Sequence, residues 1–416
     1  LTMHTILKAS REAVLSKLES LQMFFLYLLV AFLPVSNAIV ELSATVIILV
    51  WIVTSLQRKT MPRSNPLFLP LGIFLLVCAA SLLWTTDIKI TLSALFYKWC
   101  EYILLFFAVA DLLQKKRIRL INLVWVFIAA ASLIAFDGIT QYFNHRDLIR
   151  DYALYANRIT ASFTNPNDLA GYIATALVLA VTLAIFIKRP LFERIFLLCG
   201  ITPLFLVCMV MTGSRGAWIG AVLGVATVVV VTRKKIAFVL IALVLLSALV
   251  MPYVVSARHH GVFSSNDISV QDRKLMWESS FNMFKAKPFL GHGLGTFMEN
   301  YPNYRLRGYE IVYAHNCYLQ IATETGIFSL LLFLWALYAF YARAWIVLRK
   351  AGKDLYYKAM VLAAIASFQV SAFQSFVDTN LYALRMAVLF WLMLAMATGG
   401  LMSRSLHTAD DETTTS

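Results

Sequence analysis

The residues best suited to chemistry in this sequence are His315 and Asn316. They open a long apolar run at the end of the chain's longest polar stretch. An ionisable group at the mouth of an apolar helix is costly unless it faces protein or a wet cavity. An unperturbed imidazole titrates near 6.5, so His315 can take a proton from a hydroxyl near neutral pH. Asn316 is a candidate to orient a sugar or the loop backbone. Arg215 stands in Thr212-Gly213-Ser214-Arg215-Gly216, a tight reversal between two apolar runs. The reversal explains the glycines but not the guanidinium. A guanidinium fork matches phosphate oxygens bidentately; snorkelling to lipid headgroups is the other reading. The Lys-Ser/Thr ending of a phosphate-binding P-loop is absent. Arg273 sits near the start of an amphipathic stretch, Ser269 to Lys285, where a helix N-terminus favours anions. Together with Arg215 it suits a diphosphate.

Two further stretches are polar where apolar residues would serve. Asn165-Pro166-Asn167-Asp168 reads as a turn followed by a helix start, capped by Asn167 or Asp168. Asn165 and Asn167 are candidates to position an acceptor, and Arg158, just before them, is a candidate for phosphate contact. Ser367, Ser371, Gln374 and Asp378 recur at helical spacing and mark one helix face. Interhelical hydrogen bonding explains such a stripe; a cavity lining is the alternative. Glu324, nine residues after His315, falls on the opposite side of that helix and reads as a polar interhelical contact. Tyr301 and Tyr304, set among basic residues, suit a sugar-contacting wall or an interfacial anchor.

The elements that position these residues are membrane helices. The chain has 416 residues, of which 60% are hydrophobic and 14% charged, well below the roughly 25% charge of soluble domains. The class is an all-α polytopic membrane protein. Apolar runs near the ~20 residues needed to cross a bilayer fall at 21–34, 38–56, 66–84, 91–113, 119–139, 168–187, 192–212, 216–232, 236–254, 315–342, 357–377 and 381–401, about twelve in all. The first reads as a retained helix after a polar start at 1–20. The net charge of +14 does not indicate nucleic acid, because the basic residues lie in short connections between spans, as the positive-inside pattern requires. The five cysteines lie in or beside apolar segments without metal-ligand spacing. With a cytoplasmic N-terminus, most of the 36 Lys and Arg fall in cytoplasmic connections. The loops 140–167 and 255–314 are then external, and the tail 402–416 returns to the cytoplasm.

Taken together, Phe163 to Gly171, Ser214-Arg215-Gly216-Ala217-Trp218, Arg273 with Trp277, Pro288, Gly291-His292-Gly293, and His315-Asn316 followed by Gly326 resemble the bacterial O-antigen ligase and polymerase superfamily. The resemblance covers about 160 to 330. It implies a GT-C-like glycosyltransferase architecture in the bacterial inner membrane, with the active site at the periplasmic face. It implies no cofactor and a metal-independent, inverting transfer. The donor would be a glycan on undecaprenyl diphosphate, and the acceptor a sugar hydroxyl of lipid A–core. In the polymerases the acceptor is instead a second lipid-linked glycan. Carried over, Arg215 and Arg273 hold the diphosphate, and His315 is the base or positions the acceptor hydroxyl. Phe328-Ser329 departs from the threonines that often follow Gly326 in the ligases. A transporter is the reading from a different class. It predicts charged or broken helices near the bilayer midplane, whereas the charges here gather at one face.

Overall fold

In the computed structural model, the described residues are 3–60, 64–115, 117–186, 191–232, 242, 268–306, 313–350 and 355–403. Their regular structure is helical, apart from two isolated β-bridges in one loop. The helices are α1 (Met3–Phe32), α2 (Asn37–Arg58), α3 (Phe68–Ala80), α4 (Ile88–Gln114), α5 (Arg117–Asn144), α6 (Pro166–Phe186), α7 (Leu191–Thr212), α8 (Arg215–Thr232), α9 (Ile268–Ala286), α10 (Phe297–Asn300), α11 (Cys317–Lys350), α12 (Leu355–Val377) and α13 (Leu384–Met402). Ten of the described helices are long and apolar enough to cross a membrane. The expected third span is a shorter apolar helix, Phe68–Leu83. The expected ninth, 236–254, lies outside the described residues except for Ala242, as do 255–267 and the tail from 404. The first helix begins well before residue 21, because the polar start continues it in register.

Sequence decides which helices lie inside. α6 is apolar on every side and buried along nearly its whole length, as an all-round apolar helix must be. It packs against α7, α8 and α12, while α13 packs against α4 and α12. The serine stripe of α12 faces this core: Ser367 Oγ donates to the Thr175 carbonyl at 3.0 Å. Peripheral helices turn Leu49, Leu56, Val207, Val230 and Leu331 outward, the surface a lipid solvent requires.

The helix ends form two distinct faces. At one, Glu19 of α1 pairs with Arg58, Lys115 and Arg119, tying together α1, α2, α4 and α5. At the other, Arg385 at the start of α13 donates to the carbonyls of Pro34 at 2.7 Å and Ser162 at 3.0 Å, with its guanidinium over the Phe163 ring. The loop after α5, the turn between α7 and α8, α9, and the start of α11 all meet at this second face.

α11 departs from the uninterrupted helix expected over 315–342. It breaks at Gly326, where φ is 82° and ψ is 177°, a conformation open almost solely to glycine. The break strips two carbonyls of their helical donors, and the Gly-rich turn after α9 supplies replacements. His292 N–H donates to Thr323 O at 3.1 Å, and Gly293 N–H to Glu324 O at 2.8 Å. In return Ile327 N–H donates to Pro288 O at 2.8 Å. The turn's far side bonds to the α3–α4 connection, through Trp84 Nε1 to Leu290 O at 2.8 Å and Thr86 N–H to His292 O at 3.3 Å. A Cβ at Gly326 would collide with the Phe289 carbonyl. Gly326→Ala therefore costs about 3 kcal/mol or more, seen as a large drop in the unfolding temperature of the purified protein. Gly72→Ala, with open space around it, changes stability by no more than about 1 kcal/mol.

Candidate active site

A relay of side chains runs across the second face. His315, at a positive φ of 47° just before α11, places Nδ1 at 2.9 Å from Asp378 Oδ1. Asp378 follows the last turn of α12, and its N–H still bonds to Gln374 O at 2.8 Å. Its other oxygen, Oδ2, accepts from Asn167 Nδ2 at 3.2 Å. Asn167 Oδ1 in turn accepts from Arg158 Nη2 at 3.0 Å. Arg158 Nε donates to the Thr212 carbonyl, three residues before Arg215. Four elements distant in sequence thus converge through side-chain hydrogen bonds.

Arg273 joins from α9. One turn along that helix, Trp277 Nε1 donates to the His315 carbonyl at 3.2 Å, and its ring meets Phe376 edge-on at 5.7 Å. Residues i and i+4 share a helix face, so docking Trp277 carries Arg273 to the same place. The electrostatics agree. Burial, then the charges of Arg273 and Arg215, push Arg158 down to about 10, with Tyr155 and Asp378 opposing. The charges of Arg273 and Arg215 thus both reach Arg158, and three neighbouring guanidinium groups suit an anion. Burial alone would raise Asp378, but the hydrogen bond and charge of His315, the Thr379 N–H and the charge of Arg273 hold it below the ordinary carboxylate value.

The asparagines divide differently from the expectation. Asn165, not Asn167 or Asp168, caps α6: its Oδ1 accepts from Asn167 N–H at 2.9 Å, with Pro166 as the first helical residue. This leaves the Asn167 side chain to link Asp378 with Arg158. Asn316 is buried and caps α11, accepting from Leu319 N–H at 3.0 Å. Glu324 lies in a polar interhelical site, as its spacing indicates, accepting from Gln320 Nε2, Gly295 N–H and Tyr382 Oη. Tyr301 does not form a sugar wall: it is 3% exposed and stacks on Phe297, because α10 folds back onto α9. His292 is buried with Nε2 at 3.1 Å from Met283 O, and burial followed by Lys287 lowers its pKa. Asp378 is the residue whose site role the sequence left open; the stripe on α12 was its signal. Among the described residues, no three of His, Cys, Asp or Glu gather as a metal-ligand set.

The family model for O-antigen ligase matches residues 200–334, the stretch that carries Arg215, Arg273 and His315. Over that stretch the chain is similar to the O-antigen ligase family. A comparison with curated proteins finds no match.

The depressed Asp378 pKa has a stability consequence. The ionised carboxylate contributes stability that is fully present above the unfolded carboxylate range, near pH 4, and is lost as pH falls through the lower folded value. Asp378→Asn should lower the unfolding temperature at pH 7, and the gap from wild type should narrow below about pH 4.

Proposed function

We propose that this protein is an O-antigen ligase. It transfers a glycan from undecaprenyl diphosphate to a sugar hydroxyl of lipid A–core at the periplasmic face of the bacterial inner membrane. The observation that carries this reading is the His315–Asp378 hydrogen bond beside Arg158, Arg215 and Arg273. With Nδ1–H donated to the Asp378 carboxylate, the neutral ring keeps Nε2 as its basic nitrogen. The carboxylate fixes that tautomer and stabilises the imidazolium that forms. The acceptor hydroxyl gives its proton to Nε2 as its oxygen bonds to the anomeric carbon. The bond from that carbon to the diphosphate oxygen breaks, and its electron pair leaves with undecaprenyl diphosphate. Guanidinium groups then meet the charge where it develops, the electrostatic contribution that dominates such transfers. Direct displacement inverts the anomeric carbon, and the charge on the leaving group is met by arginines without a metal.

A polymerase would use the same machinery with a lipid-linked glycan as acceptor. Phe328, where this sequence departs from the ligases, is exposed and packs on Phe289.

The test mixes purified protein in lipid with lipid-linked glycan and lipid A–core in the presence of chelator. Wild type should produce glycan-bearing lipid A–core. His315→Ala should lower the rate by about 10³-fold or more, and Asp378→Asn by about 10²- to 10⁴-fold. Longer lipid-linked chains as the sole product would replace the ligase with the polymerase. No product from verified donor and acceptor would remove the transferase reading.

A further inference from the structure

The loop after α5 holds its shape through buried polar side chains. Asp147, 4% exposed, accepts from the N–H groups of Ile149, Arg150 and Tyr152. Gln141, fully buried, accepts from Thr160 and Ala161 N–H at 2.8 Å each and donates to Tyr152 O at 2.9 Å. Asp137 accepts from Leu148 N–H at 2.7 Å. This frame closes in a bridge between Tyr155 and Arg158, whose backbones exchange two hydrogen bonds of 3.0 and 2.9 Å. Tyr155 is nevertheless 60% exposed, three residues from Arg158 and paired with it across the bridge. A rigid loop thus presents an open aromatic ring beside one of the three clustered arginines. The tyrosines expected to contact sugar, Tyr301 and Tyr304, instead pack within the second loop: Tyr301 on Phe297, Tyr304 on His292.

We propose that Tyr155 is the stacking platform for the sugar ring attached to the donor's diphosphate. The inference rests on reading Arg158, Arg215 and Arg273 as the diphosphate site. A glycan bonded to that diphosphate must place its first ring within one residue's reach of the arginines. A pyranose presents an apolar C–H face, and an amphipathic aromatic ring with few rotatable bonds matches it at small entropic cost. Arg158 then joins the two halves of the donor: its guanidinium faces the phosphates, and its backbone fixes the ring that meets the sugar. The first loop selects the donor by the face of its first sugar.

The test compares two probes on the full-length protein in lipid nanodiscs: a glycan-linked undecaprenyl diphosphate and bare undecaprenyl diphosphate. Wild type should bind both. Tyr155→Ala should weaken the glycan-linked lipid about tenfold and leave the bare lipid unchanged, while Tyr155→Phe, which keeps the ring, stays within about twofold of wild type. If Tyr155→Ala binds both as wild type does, or weakens both equally as a membrane-interface anchor would, the platform is refuted and the diphosphate site stands. If wild type binds neither lipid, the diphosphate reading fails and takes the platform with it.

Discussion

A buried carboxylate is tolerated only when its charge and lone pairs are met. Asp378 meets that condition with groups from three parts of the chain: the His315 ring, the Asn167 amide and the Thr379 N–H. Removing a hydrogen-bond partner from the buried Asp378 carboxylate costs about 1–3 kcal/mol, so the contact holds the ends of α11, α12 and α6 in register while it orients the imidazole. Cys317 adds to the same joint, its thiol at 3.2 Å from the Asp378 carbonyl. Structural and chemical roles coincide here, and a change at Asp378 moves both.

The other elements deliver groups to that joint. The break at Gly326 lets the first turns of α11 leave the line of the membrane helix, and the Gly-rich turn after α9 fills the backbone positions the break opens. Glu324 locks the same junction from the side, bonding Gly295 N–H at 2.9 Å and Tyr382 Oη at 3.2 Å. Trp277 then fixes α9 against His315. α9 and the turn after it are thus held against α11, and Arg273 is held with them.

Much of this was legible because bilayer thickness imposes a length on apolar runs, so the spans stand out in sequence. Arg215, Arg273 and His315 stood out for a related reason: charge beside apolar helices needs an explanation. The break at Gly326 was not legible, because a helical glycine and a broken one look alike until the Pro288 and Phe289 carbonyls are placed. Asp378 was visible as the end of a polar stripe, but its partner lies 63 residues away and no local spacing encodes that pairing. Asn165 and Asn167 are both good caps, and only the reach of Asn167 to Asp378 separates their roles. The burial of Tyr301 follows from α10 folding back on α9, a tertiary choice that composition does not specify.

The central claim is that three arginines and the His315–Asp378 pair serve one bound diphosphate. The most direct measurement is a structure of the protein in lipid nanodiscs with undecaprenyl diphosphate bound. The account predicts phosphate oxygens within about 3 Å of guanidinium nitrogens from Arg158, Arg215 and Arg273, on the side of His315 that carries Nε2. A diphosphate bound elsewhere, with these arginines turned to lipid headgroups, would contradict it.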